Sequence, residues 1–154
     1  MLDVCIQDHS REIAFLNGYA DEKVEVVFDK CGVIRYQDVD WEAFRLELCA
    51  RADELARVFE LGRIGVRKGL GRGDYLEALS YYQDGMLKPL VEILRMRHQP
   101  TKHDFGLKHI RRDLPVEVVA RLEHLFAVSS LADIEAKYPQ VDEVFKETLS
   151  GGPW

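Results

Sequence analysis

Cysteine is scarce. Cys5, Cys31 and Cys49 stand at unrelated spacings. An odd count in no zinc pattern excludes a disulfide framework and fits a reducing cytoplasm. No apolar run approaches the roughly 18 residues that cross a bilayer. No positively charged start is followed by an apolar stretch, so neither secretion nor a membrane partner is expected. The chain also lacks a nucleophile elbow, a P-loop and a dinucleotide fingerprint. His98, His103, His109 and His124 match no zinc signature and contain no i, i+4 pair, so no metal site is expected within this chain alone. There is no internal repeat and no low-complexity segment.

What is present is ordinary globular composition. Of 154 residues, 47% are hydrophobic and 31% charged, which argues against a disordered or collagenous chain. The net charge of -6 is unevenly spread. Residues 1–62 carry 7 basic and 14 acidic side chains, residues 63–112 carry 11 and 5, and residues 113–154 carry 3 and 8. An acidic protein with one basic central third is a poor nucleic-acid binder. It suits a local anion site, such as one for phosphates.

The first forty residues differ from the rest. Residues 10–19 read as one short helix. Residues 23–28 are β-branched and read as a strand, residues 29–32 as a turn with Gly32 at positive φ, and residues 33–36 as a return strand. So few strands make no stable sheet by themselves. From Asp40 the pattern turns helical, with Asp40 as N-cap and Trp41, Phe44, Leu48, Ala52, Leu55 and Phe59 on one face. Glycines at 69, 71 and 73 break this helix. Asp74 caps a second, with Leu76, Leu79, Met86, Leu87, Leu90, Ile93 and Leu94 inward. Pro89 lies within it, against the carbonyl of Gly85, and predicts a kink. Residues 98–112 form a long basic connection. Pro115 opens a third helix, Ser130 with Asp133 forms a capping box for a short fourth, and Pro139 starts the last. The expected fold class is mainly α: a helical bundle over residues 39–150, a small N-terminal β-hairpin or strand appendage over 1–38, and a frayed tail over 151–154.

Several residues invite a binding role. Arg67, Lys68 and Arg72 flank the glycine-rich stretch. That stretch is either a plain helix–helix turn or a flexible loop over which these cations reach an anion. Lys88, Arg95 and His98 fall roughly on one helical face, two turns after Tyr81 and Tyr82. The face is either a solvated cationic helix end or a groove for a nucleotide, an aromatic ligand or an amino sugar. Glu25, between valines, reads as a solvated strand residue.

The run from residue 24 to 114 resembles the rear part of the antibiotic (aminoglycoside)-type nucleotidyltransferases of the polymerase-β superfamily. The resemblance rests on Val-Glu-Val-Val-Phe-Asp at 24–29, Gly-Val-Ile at 32–34 and Arg-Lys-Gly at 67–69. It continues through Gly-Asp at 73–74, Glu-Ala at 77–78 and Pro-Leu-Val-Glu-Ile-Leu-Arg at 89–95. His-Asp-Phe-Gly at 103–106 and Arg-Asp-Leu-Pro at 112–115 complete it. It implies an α/β catalytic domain, in which a Gly-Ser motif and an Asp-x-Asp pair hold Mg²⁺ on a nucleoside triphosphate, followed by a helical domain. It makes Glu25 the candidate third carboxylate. It makes Lys88, Arg95, Lys102, His103, Arg111 and Arg112 candidates for the nucleotide or acceptor site, beside Arg67, Arg72, Tyr81, Tyr82 and His98. The chain departs from the pattern at its head. No Gly-Ser motif occurs, and Asp3 has no Asp two residues before it. One carboxylate cannot hold a catalytic magnesium. The resemblance therefore implies a helical domain with the last strands of a catalytic sheet, inactive alone. The alternative is a stand-alone helical module that binds a catalytic partner chain, or a second copy, through its N-terminal strands.

Overall fold

The computed structural model describes residues 6, 8, 10, 11, 13–19 and 24–152. Most of the apolar run at 2–6, Lys23 and the last two residues of the tail lie outside them. The chain divides into two compact units, Met1–Phe44 and Arg45–Trp154.

In the first unit, β1 (Ile13–Asn17) and β2 (Ile34–Asp38) pair in parallel, from Ile13 with Ile34 to Asn17 with Asp38. This corrects the expected helix over 10–19. A short apolar run has too few residues for periodicity to separate helix from strand. It also corrects the hairpin. Residues 24–28 are exposed and irregular despite their β-branched side chains, because propensity makes no strand without a neighbour to pack against. The expected turn is present: Asp29 accepts from the backbone N–H of Val33 (3.1 Å) and Ile34 (3.2 Å), and Gly32 has φ 61°.

Helix α1 (Trp41–Arg72) begins with Asp40 accepting from Ala43 N–H at 3.0 Å. Leu48, Ala52, Leu55 and Phe59 are buried as their spacing requires, while Trp41 is exposed. The helix is not broken at Gly69 or Gly71. It runs to Arg72, and the chain turns at Gly73. The reason is packing. Gly62, Gly65 and Gly69 form a seam along which the second helix approaches. A Cβ on Gly62 would lie 2.4 Å from the Gly85 carbonyl oxygen, and one on Gly69 would meet Ala78.

Asp74 caps α2 (Tyr75–Ser80) by accepting from Glu77 N–H at 3.0 Å. Ala78, not Leu76, faces inward, since the seam admits only small side chains; Leu76 is exposed. The expected kink is replaced by a widening. Tyr81–Leu87 is π-helical, with the Lys88 N–H reaching the Gln83 carbonyl five residues back, and it leads into α3 (Lys88–His98). Pro89 has no N–H and its ring would strike the carbonyl of residue 85. The wider turn relieves that clash without ending the helix.

Helix α3 is buried almost all round, as a central helix must be. A 3₁₀ stretch (Pro100–Phe105) and the short α4 (Ile110–Asp113) lead to α5 (Val116–Phe126). Helix α6 (Leu131–Ser150) opens with Ser130 accepting from Asp133 N–H. It is one helix where two were expected. Pro139 and Glu135, whose carbonyl loses its donor, both lie on the exposed face, where water can replace the bond. Phe145 of α6 stacks on Phe59 of α1 with ring centroids 3.9 Å apart.

Candidate functional site

The π-helical widening and the loop after α3 wall a cavity of about 550 Å³. Gln83 and Asp84 come from the first, Lys88, Val91 and Glu92 from α3, and His103, Asp104, Gly106 and Leu107 from the second. Phe126 closes one side. Widened turns of this kind re-aim side chains and recur at functional sites.

The loop wall is held from inside by Arg95, which is fully buried. Its Nε donates to the Gly106 carbonyl at 2.6 Å, its Nη1 to the Lys102 carbonyl (3.4 Å) and Asp113 Oδ2 (3.2 Å), and its Nη2 to the Lys108 carbonyl. Five fixed donors in one plane suit this fan of acceptors. Gly106, at φ 54° and ψ −128°, turns its carbonyl inward from a conformation that a side chain would strain. Burial works to raise the Asp113 carboxyl. Hydrogen bonds from Arg112 and Arg95 and the charge of Lys102 outweigh it, holding the group below the ordinary carboxylate range.

Glu92 is the organised acid of the cavity. Arg51 grips it with two parallel bonds, Nε to Oε1 at 2.7 Å and Nη2 to Oε2 at 2.9 Å, and His103 Nδ1 lies 3.3 Å from Oε1. Burial opposes its ionisation, but the hydrogen bonds from His103 and Arg51 win and bring its pKa down to about 2. With the carboxylate ionised, His103 Nδ1 carries the proton. Its Nε2 has no hydrogen-bond partner among the described residues. Asp84 is paired with Lys88 at 2.6 Å, and Asp104 makes no ion pair among the described residues.

Two of the residues expected from sequence, Lys88 and His103, meet in this cavity. The others stand elsewhere. Glu25 is exposed in an irregular segment of the first unit, not on a strand. Arg67 is exposed on α1, and Arg72 pairs with Glu77 at 2.9 Å. Tyr81 lays its ring over Gly65, whereas Tyr82 is in the core with its hydroxyl donating to the Leu125 carbonyl at 2.9 Å. Arg95 and Lys102 are interior groups facing Asp113. His98 lines a separate cleft. Arg111 pairs with Glu123, and Arg112 donates to Asp113 at 3.0 Å. The single face proposed for Lys88, Arg95 and His98 is thus split between a cavity, the interior and another cleft.

Sequence reasoning missed Arg51, Asp84, Glu92 and Asp104. One local signal existed: Glu92 is a lone charge inside the apolar run of residues 90–94. Its partner Arg51 is 41 positions away and carries no such mark. Among the described residues, no three His, Cys, Asp or Glu side chains are grouped to hold a metal ion. Magnesium therefore finds no ligand set among the described residues. No helix among them is long and apolar enough to cross a membrane.

No family model matches the chain, and comparison with curated proteins and with solved structures returns no match.

Proposed function

We propose that the helical unit is the acceptor-holding half of a magnesium-dependent nucleotidyltransferase, one that transfers a nucleoside monophosphate to a hydroxyl of a small cationic molecule. The nucleoside triphosphate, the magnesium and the catalytic acids belong to a Gly-Ser…Asp-x-Asp domain, and this chain transfers nothing alone. The observation that supports the acceptor role is the cavity with Asp84, Glu92 and Asp104 in its walls. Lys88 answers Asp84 and Arg51 answers Glu92, which leaves Asp104, with no ion pair among the described residues, to attract an amine and repel a triphosphate. The unoccupied Nε2 of His103, fixed by Glu92, offers a hydrogen bond to a hydroxyl of the same ligand. An amino sugar carries both groups.

Calorimetric titration with neamine tests this. Saturable binding is expected, weakened by Asp104→Asn and by His103→Ala, while ATP with magnesium gives no comparable heat. Absence of neamine binding would overturn the reading.

A second reading has its own support. The sheet of the first unit has two strands, and among the described residues each has an open edge, with Val27, Phe28 and Tyr36 exposed nearby. Parallel strands are normally covered on both faces. This fits a module that docks a catalytic partner chain or a second copy through its strands. Light scattering of the pure chain distinguishes the last case: a dimer that Tyr36→Lys dissociates supports it, and a monomer at all concentrations counts against it.

A further inference from the structure

A second cleft lies apart from the acceptor cavity and shares no residue with it. It runs between α3, α5 and α6 and encloses about 290 Å³. Its floor is apolar: Leu90 and Leu94 from α3, Leu122 and Leu125 from α5, and Val144 from α6. Thr148 is also there, but its hydroxyl donates to the Val144 carbonyl at 2.7 Å, which leaves its methyl group for the cleft. The volume corresponds to about ten water-sized groups. That is the size of a chain of a few methylenes with a small head.

The rim is charged, and one of its cations is not used up. Arg97 and Arg121 stand on it, from α3 and α5, with His98 beside them. Arg121 forms ion pairs with Glu143 and Glu147, each at 3.9 Å, so its charge is already answered. Arg97 has no carboxylate within ion-pair distance among the described residues. The guanidinium lies over Gly151 at the end of α6, so closely that a Cβ there would be 2.3 Å from Nη1. Glu147 at the rim and Glu117 near His98 repel anions from the cleft's other sides. Arg97 is therefore where a negative head settles.

We propose that this cleft binds a small amphipathic carboxylate, its tail on the leucine floor and its head against Arg97. A planar guanidinium beside an apolar floor matches a planar carboxylate at the end of a hydrocarbon chain. Neither part of such a ligand suffices. A bare anion leaves the floor wet, and an uncharged chain leaves Arg97 without a counter-charge.

Sodium octanoate, octan-1-ol and sodium propionate are the probes, titrated into the full chain with calorimetry and amide NMR. Octanoate is expected to saturate, with shifts confined to the ends of α3, α5 and α6, and to bind at least about tenfold tighter than the other two. Arg97→Gln should weaken octanoate about tenfold, and Val118→Trp, which fills the mouth, should abolish binding. Arg97 is exposed and Val118, in the cleft lining, is only half-buried, so thermal melts should report both variants as folded. Three results would overturn the proposal: no saturation by octanoate, equal binding of octanol, or unchanged affinity in Arg97→Gln. Because the probe and the residues differ from those of the acceptor cavity, failure here leaves that reading standing.

Discussion

The two units of the chain are held together by different means. Among the described residues of the first unit, no side chain is buried. The strands are joined by their backbone ladder, a Phe15–Tyr36 ring contact at 6.1 Å and an Asn17–Asp38 hydrogen bond at 2.9 Å. The helical unit has Val66, Ala78, Met86, Leu90, Ile93, Ile134 and Val141 fully buried, and even a guanidinium is enclosed. Burial at about 25 cal/mol per Å² of apolar surface dominates folding energetics, and exposed ladders contribute little net. The contrast teaches where this chain keeps its stability: in the helices, around α3. Two of the three carboxylates in the cavity walls are answered by cations of the same unit, Asp84 by Lys88 and Glu92 by Arg51.

The sharpest way to break that contrast is to remove what the helical unit encloses. Arg95→Met leaves the carbonyls of Lys102, Gly106 and Lys108 without their donor and Asp113 short of one partner. Breaking a buried charge pair costs about 3–5 kcal/mol. The urea midpoint should fall accordingly, and the amides of the loop should lose protection first. A variant as stable as the wild type would mean that the loop is held from elsewhere. Next in size is Gly62→Ala. Its Cβ meets the Gly85 backbone, which cannot swing aside as a side chain would, so α1 and the π-helical segment must part. Overpacking of this kind costs about 1–3 kcal/mol. Gly71→Ala, in open space on the same helix, provides the control and should be neutral or slightly stabilising.

Much of the helical unit is legible in the sequence because its signals are local. Asp40, Asp74 and Ser130 cap the helices that follow them, and the apolar spacing of α1 and α3 selects the buried faces. What is not legible depends on partners far along the chain. The glycines at 62, 65 and 69 read as a helix-breaking tendency, and only the presence of Gly85, Tyr81 and Ala78 opposite them makes a seam. The strand unit shows the same limit. Ile13 to Asn17 pairs with a segment more than a dozen residues away, while the more strand-like residues 24–28 have no neighbour. At the candidate site, Lys88 and His103 stand out as polar groups near a helix and its following loop. The cavity exists because Pro89 forces a wide turn and Arg95 folds the loop from within, neither of which a residue pattern displays.

Protonation sharpens the comparison at a single group. The Glu92 carboxyl ionises with a pKa of about 2 in the fold, against 4.5 for the free side chain. A depressed pKa adds stability that is complete above about pH 4.5 and is lost as the pH falls to about 2. The difference in unfolding free energy between the wild type and Glu92→Gln should therefore be constant above pH 4.5 and close progressively below it. A difference independent of pH would mean that Arg51 and His103 do not act on the charge.

The smallest effect is expected in the strand unit. Tyr36 is 54% exposed, and its replacement by alanine removes the ring contact with Phe15 without opening a cavity. The main unfolding transition should stay within about 0.5 kcal/mol of the wild type, as for other surface changes. Hydrogen exchange should nevertheless register the change locally. In the wild type the amides of β1 and β2 should exchange by local opening, far faster than those of α3, which await global unfolding. Tyr36→Ala should speed the strands further and leave α3 untouched. Equal protection of strands and α3 would show that both units unfold as one, and the division of stability between them would have to be abandoned.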